Sequence, residues 1–192
     1  MKFFKNEIVK IASSLAIVAL GCGVLITFVY FIAGPIIKEN ARIRQKEAYT
    51  LIFPDLKEYD YLYLNDYLLI EDIPNGVNWQ IIKGFNADGD LIGYIVAITK
   101  INSFGPIGLF FGIYVGGRIS NHIEIIANGQ TAGRNAEVIR QVREFAGVSL
   151  SESSGVLNVG TSATVAFNTI LSIFQTASEL YSIIQNIEGI GV

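Results

Sequence analysis

The chain has 192 residues, of which 51% are hydrophobic, and its mean hydropathy of +0.45 is high for a soluble domain. The formal net charge is -3 and no basic patch is interleaved with aromatic residues, which argues against a nucleic-acid-binding protein. The single cysteine, Cys22, excludes an intramolecular disulfide, and the single histidine, His122, argues against a histidine-based metal site. The length suits one domain with a sizeable core plus an appendage.

The excess of apolar residues lies near the N-terminus. The 27 residues from Ile11 to Ile37 carry no charged side chain. As a helix they span roughly 40 Å, more than the roughly 30 Å hydrocarbon core of a bilayer. The run predicts a transmembrane helix, because it is longer than the apolar segment of a cleaved signal peptide, which is the alternative.

The predicted membrane helix carries small residues at helical spacing, at Ala12, Ala16, Ala19 and Gly23. Such a face is typical of helices that pack against other membrane helices. Basic residues stand on both sides of the span, so the positive-inside rule does not decide its orientation.

A charged stretch with spaced apolar residues follows and predicts a juxtamembrane helix, with a kink at Pro35 and an end at Phe53-Pro54-Asp55. The chain is therefore divided into an N-terminal segment with its membrane helix (1–37), a juxtamembrane helix (38–55) and a soluble domain (56–192).

The soluble domain begins with the pattern of an antiparallel sheet. Aromatic-rich, β-branched or alternating runs predict strands at 59–63, 67–70, 79–85, 91–101, 107–115 and from 119 onward. Polar or glycine-containing turns separate them at 86–90, 102–106 and 116–117. The alternation in the last strand places His122 on the polar face, as a solvated surface residue.

Helical patterns dominate the rest of the chain. Apolar spacing predicts a helix from Arg134 to Phe145 that ends at Gly147, and a short strand follows near 148–150 or 156–157. A last helix runs past Leu180 to Ile184. The predicted fold class is α+β, with one N-terminal membrane helix, an antiparallel sheet and packed helices.

The stretch Gly160-Thr161-Ser162-Ala163-Thr164 opens that last helix. Small hydroxyl residues before an apolar-periodic run are typical helix caps, and capping alone accounts for them. The first turn of a helix also favours an anion, because its backbone N–H groups are free and the helix dipole is positive there. A phosphate is the natural guest, and the hydroxyl of Thr164 is a candidate covalent anchor for it.

Taken together, these residues resemble the FMN-binding domain family, and within it the membrane-anchored flavin subunit of the Rnf electron transport complex. That complex is an ion-pumping ferredoxin:NAD oxidoreductase of bacterial and some archaeal membranes, and a related subunit belongs to the sodium-pumping NADH:quinone oxidoreductase. The resemblance implies one membrane helix and one extracytoplasmic domain that carries FMN. The family motif, similar to Asp-x-x-Ser/Thr-Gly-Ala-Thr, aligns with residues 158–164. It implies an FMN phosphoester on Thr164, with Thr161, Ser162 and Ala163 beside the cofactor.

The resemblance covers nearly the whole chain and adds four residues to the cofactor site. The turn at Gly105 and Pro106 and the loop with Thr131 and Gly133 fall in the family's order. In many members that loop reads Glu-Thr-Pro-Gly and lies near the flavin.

Two motif positions depart from the family pattern. Asn158 removes a carboxylate, and Ser162 adds a Cβ where glycine allows close approach of the backbone. These departures keep open a second hypothesis, a flavin-free assembly or adaptor subunit of the same fold. A third is a generic anchored extracellular binding domain.

The resemblance implies an electron-carrying subunit without its own substrate site, and the chain shows no histidine–carboxylate pair or activated nucleophile that would suggest otherwise. The expected cofactor is covalent FMN, with no metal and no catalytic residue. The expected partners are the other subunits of a membrane Rnf-type complex, a flavin transferase during maturation and the lipid bilayer. The implied location is the inner (plasma) membrane, with a single span and the soluble domain on the extracytoplasmic side.

Labelling of an engineered cysteine tests this topology. In a chain with Cys22→Ser and Asp88→Cys, a membrane-impermeant thiol reagent should label intact cells, because Asp88 lies in a predicted turn of the soluble domain. The Cys22→Ser chain alone is the control for background labelling. Labelling only after the membrane is permeabilised would place the domain in the cytoplasm.

Overall fold

The computed structural model describes residues 2–130, 135–156 and 164–189. Within these ranges it contains three α-helices and one five-stranded antiparallel sheet, which confirms the α+β class. The helices are α1 (Lys2–Ile52), α2 (Asn135–Arg143) and α3 (Thr164–Glu188). The strands are β1 (Glu58–Tyr63), β2 (Gln80–Phe85), β3 (Leu91–Asn102), β4 (Gly105–Tyr114) and β5 (Ile119–Asn128). Two compact units are present, Met1–Glu47 and Ala48–Val192.

Helix α1 is one continuous element that includes both the predicted membrane span and the predicted juxtamembrane helix. It continues through Pro35 and ends at Ile52, immediately before Phe53 and Pro54 as expected. Its apolar side chains are exposed, for example Leu20 at 70% and Phe31 at 78%. Burying one such side chain contributes about 1.5–3 kcal/mol, so their exposure to water would be costly. Among the described residues, this is the one helix long and apolar enough to cross a membrane.

The sheet is a meander in the order β1-β2-β3-β4-β5, and every neighbouring pair is antiparallel. Successive side chains of a strand point to opposite faces. In β3, Val96 and Ile98 belong to the core that includes α2 and α3, whereas Ile95 packs on the other face. There it meets the last turn of α1, including Tyr49 and Ile52. Both faces of the central strands are thus covered.

Contacts between aromatic rings pack α3 against the sheet. Phe174 of α3 lies 5.0 Å from Phe111 of β4 and 4.4 Å from Phe145, measured between ring centroids. Phe145 follows α2 and also contacts Phe167 of α3 at 6.2 Å. The side chains of these phenylalanines are all buried, so the position of α3 depends on one aromatic cluster shared by β4, α2 and α3.

The predicted strand at 67–70 is wrong. Helical turns of the 3-10 type occupy Leu64–Asp66 and Ile70–Asp72, and the Leu68 N–H donates to the Leu64 carbonyl at 2.8 Å. Tyr67 and Leu69 are 60% and 72% exposed. A strand here would therefore leave Tyr67 and Leu69 without a surface to pack against.

The short strand predicted near 148–150 or 156–157 is also not present as such. A single antiparallel bridge joins Ser149 to Arg118, Val156 follows a 3-10 turn, and Leu157 lies outside the described residues. The other predicted strands and both helices are confirmed, with ends that shift by a few residues. His122 is exposed, as expected.

Gly112 of β4 lies where the sheet closely approaches the end of α1. A Cβ at this position would lie 2.6 Å from Phe53 Cε1 and 2.7 Å from Ile52 Cγ2. We expect Gly112→Ala to lower the free energy of unfolding by about 1–3 kcal/mol through overpacking. Gly116→Ala is the control, because nothing lies within 4 Å of its Cβ. Denaturant unfolding in detergent, followed by the fluorescence of the single Trp79, measures both. Equal midpoints for the two variants would contradict the close approach.

The buried phenol of Tyr94 in β3 makes the stability of the fold sensitive to alkaline pH. Burial, together with the nearby Glu188 and Tyr181, raises the pKa of its phenol to about 12. The stability it contributes is therefore fully present below about pH 10 and is lost as the pH rises through about 12. Tyr94→Phe should lose less stability over that interval, measured as unfolding midpoints at several pH values. The exposed Tyr67, changed to Phe, is the control, and equal losses in both variants would exclude Tyr94 as the source.

Candidate functional site

Thr164 is the first residue of α3, and it is exposed. Thr161, Ser162 and Ala163 lie outside the described residues, so their predicted capping and cofactor-binding roles stay predictions. What the structure gives is the position of the predicted acceptor at the start of a 25-residue helix. The hydroxyl group of Thr164 is thus within reach of molecules in solution.

The beginning of α3 is electrostatically suited to an anion. Its first turn contains no acidic residue, and the sequence has no charged residue from Thr164 to Ser178. No carboxylate in this part of the helix therefore neutralises the positive end of the dipole, which is worth about 0.3–1 kcal/mol to a nearby negative charge. The helix start can contribute to holding a phosphate without competition from its own side chains.

The turn with Gly105 and Pro106 packs closely against Gly129, which lies just before the predicted site residues Thr131 and Gly133 in the sequence. Gly105 has φ 128°, and a Cβ there would lie 2.6 Å from the Gly129 carbonyl oxygen. The Gly129 N–H donates to the Pro106 carbonyl at 2.8 Å. Thr131 and Gly133 lie outside the described residues. Only glycine fits at position 105, because both its backbone angle and the space exclude a side chain.

Three separate segments meet in one polar junction, which we define as Asn102, Gln130 and Thr169. Asn102 Nδ2 donates to Thr169 Oγ1 at 2.9 Å. Gln130 Nε2 donates to Asn102 Oδ1 and to the Gly105 carbonyl, each at 3.3 Å. The junction therefore joins the β3–β4 turn, the start of the loop after β5 and the second turn of α3. The first segment contains the predicted residues 105–106 and the third contains 164, whereas predicted Thr131 and Gly133 of the second lie outside the described residues.

Gln130 leaves one polar atom of the junction unused. The residue is 6% exposed, and its Oε1 is buried with no hydrogen-bond partner among the described residues. A buried acceptor without a partner costs about 1–3 kcal/mol, and such atoms are uncommon in folded proteins. This oxygen is a buried acceptor for which the described residues supply no donor.

The junction is composed of neutral groups only. Two amides and one hydroxyl hold it together, and none of them titrates near neutral pH. Within the described ranges, no cluster of three or more histidine, cysteine or acidic side chains could hold a metal ion. The arrangement is suited to positioning and binding rather than to acid–base chemistry.

Sequence reasoning did not find Asn102 as a site residue, because it stands in a Gly/Ser/Pro-containing turn where asparagine is common. Its partner Thr169 is 67 residues away along the chain, so no local pattern links the two.

A concave region lies away from these residues. A depression of about 320 Å³ is lined by Asn65, Ile73, Pro74, Asn75, Gly76, Val77 and Trp79. None of the predicted site residues lines it. The polar junction next to the start of α3 thus remains the candidate site.

No protein-family model matches the chain, and a search of curated proteins finds no match.

Proposed function

We propose that this chain is a membrane-anchored electron-transfer subunit of an Rnf-type, ion-translocating ferredoxin:NAD oxidoreductase, with FMN attached through a phosphoester to Thr164. The observation that carries the proposal is the exposed Thr164 hydroxyl at the start of α3, a helix with no acidic residue in its first turn. The polar junction supports it, since Gln130 presents a buried acceptor without a partner among the described residues. The sequence resemblance supplies the identity of the cofactor and of the complex.

Attachment requires an activated phosphate. We propose that the Thr164 oxygen bonds to the FMN phosphorus of a flavin dinucleotide, while the anhydride bond to AMP breaks. AMP is the leaving group, and the hydroxyl proton of Thr164 passes to solvent. No electron is gained or lost in this step, so no oxidant is required. A flavin transferase is the partner that would bind the dinucleotide and catalyse the exchange.

The residues present fit an FMN group. In this proposal, backbone N–H groups of the first turn of α3 hold its phosphate, and the acceptor of Gln130 takes a hydroxyl or N–H donor of the flavin. When bound, FMN supplies one- and two-electron redox chemistry. The chain itself has to anchor the cofactor, orient it and limit its access to water. A covalent bond also prevents loss of the cofactor outside the cytoplasm.

The long apolar part of α1 supports the membrane assignment. Ala16, Ala19 and Gly23 lie side by side along one face of α1, where they line a shallow groove. Small residues allow close helix–helix approach, so we propose that this face packs against the other subunits of the complex. The plasma membrane as location, and the extracytoplasmic side for the soluble domain, belong to the same proposal.

A flavin-free assembly or adaptor subunit is the second candidate, favoured by Asn158 and Ser162 in the aligned motif. The visible spectrum and in-gel fluorescence of the denatured protein distinguish the two functions. Covalent flavin survives denaturation, whereas its absence after co-expression with the transferase would favour the adaptor.

Substitution of Thr164 tests the attachment site. Thr164→Ala should delete the covalent flavin and leave the fold nearly intact, because one exposed hydroxyl at a helix start contributes at most about 1–2 kcal/mol. Thr164→Ser keeps a hydroxyl and should give partial attachment. Intact-protein mass spectrometry after co-expression with the transferase measures the attached fraction.

Thr161→Ala is the control for that experiment. It should lower stability modestly and retain the flavin, because its proposed role is capping. Covalent FMN on the Thr164→Ala chain would mean that the motif is read in the wrong register. Thr161 would then be the candidate, whereas Thr169 is 8% exposed and engaged in the polar junction.

A further inference from the structure

We propose that Asn102 is a positioning residue for flavin attachment at Thr164, an inference that rests on the proposed function. Asn102 touches neither Thr164 nor any reacting atom that the structure shows. It acts through Thr169, and it sets the first turn of α3 relative to the β3–β4 turn and to Gln130.

Asn102 lies at the end of β3, where it is paired with Gly105 across the turn. Its side-chain amide uses both of its ends. The Oδ1 atom accepts from the Phe104 N–H at 2.8 Å and from Gln130 Nε2 at 3.3 Å. The Nδ2 atom donates to Thr169 Oγ1 at 2.9 Å. Asn102 is thus the residue through which the turn, Gln130 and α3 are joined.

Thr169 transmits this restraint to the start of the helix. Its hydroxyl donates to the Val165 carbonyl at 2.8 Å, and Val165 is covalently bonded to Thr164. The aromatic contacts of Phe167 and Phe174 fix α3 further along its length. Helix ends fray, so an additional hydrogen bond to the first turn limits the movement of Thr164, whose position matters most for attachment. Without the amide of Asn102, that tie to the β3–β4 turn is lost.

Loss of this restraint should lower the rate of flavin attachment more than it lowers the stability of the fold. A group-transfer step depends on the distance and direction between the nucleophilic oxygen and its target, and small misplacements slow it strongly. A purely structural role for Asn102 would lower the melting temperature and leave the attachment rate of the folded protein unchanged. A positioning role lowers that rate at temperatures where every variant is folded.

The experiment uses the full-length chain in detergent, purified without flavin, together with the flavin transferase and FAD. The rate of covalent flavin appearance is measured by in-gel fluorescence, and the melting temperature of each flavin-free variant is measured separately. We expect Asn102→Ala and the near-isosteric Thr169→Val each to slow attachment roughly tenfold. Thr169→Ser keeps the hydroxyl and should restore most of the rate. The effect in the double variant should fall short of the two single effects combined, because both substitutions remove the same hydrogen bond.

Asn168→Ala is the matched control, since Asn168 is exposed and stands one position from Thr169. Attachment rates of Asn102→Ala and Thr169→Val equal to that of this control would overturn the positioning role and leave the proposed function intact. If Asn102→Ala does not fold, the rate of Thr169→Val decides the question. Additive effects in the double variant would also overturn the proposal. A wild-type chain that acquires no flavin would instead refute the proposed function itself.

Discussion

The stack of Phe174 on Phe145 is the contact on which the candidate site depends. The two rings are 4.4 Å apart and 17° from parallel, and Phe174 also packs on Phe111 of the sheet. An aromatic pair of this kind contributes about 0.5–1.5 kcal/mol beyond its buried area. Its larger effect is geometric, because it fixes one helix against both the sheet and the end of α2. The place where α3 begins follows from that contact.

The direction of α3 then determines which parts of the sheet, and which polar or charged groups, lie near each of its ends. Tyr181 of α3 packs near Tyr94 of β3, whereas Thr169 bonds to Asn102 at the end of the same strand. Helix and strand therefore run in opposite directions, and the helix start meets the β3–β4 turn. The other end of α3 carries Glu188, which pairs with Lys83 at 3.4 Å. The charged groups are thus kept away from the uncharged helix start.

Local sequence patterns were sufficient for most elements, and they failed where the deciding contacts were distant. Alternation and turn residues predicted the strands of the meander, because those signals are local. The stretch around Tyr67 and Leu69 shares the composition of a strand, but neither side chain is buried. The polar junction could not be predicted from the sequence for a related reason, because Asn102 and Thr169 become partners only when α3 lies across the sheet. The aligned motif predicts Thr164 as the acceptor, and it carries no information about what holds the helix start in place.

The neutral composition of the junction has a physical reason. Gln130 Nε2 donates to two oxygen atoms, Asn102 Oδ1 and the Gly105 carbonyl oxygen. A glutamate at position 130 would place oxygen against oxygen unless its carboxyl group were protonated. Burial of its charge would also be costly without a partner cation. Gln130 and Asn102 are therefore complementary. The Asn102 side chain donates to Thr169 through its Nδ2 atom, so its Oδ1 atom is left to accept from a donor in the loop after β5, which is Gln130 Nε2. The remaining Gln130 Oε1 is then the one side-chain acceptor of the junction without a partner among the described residues.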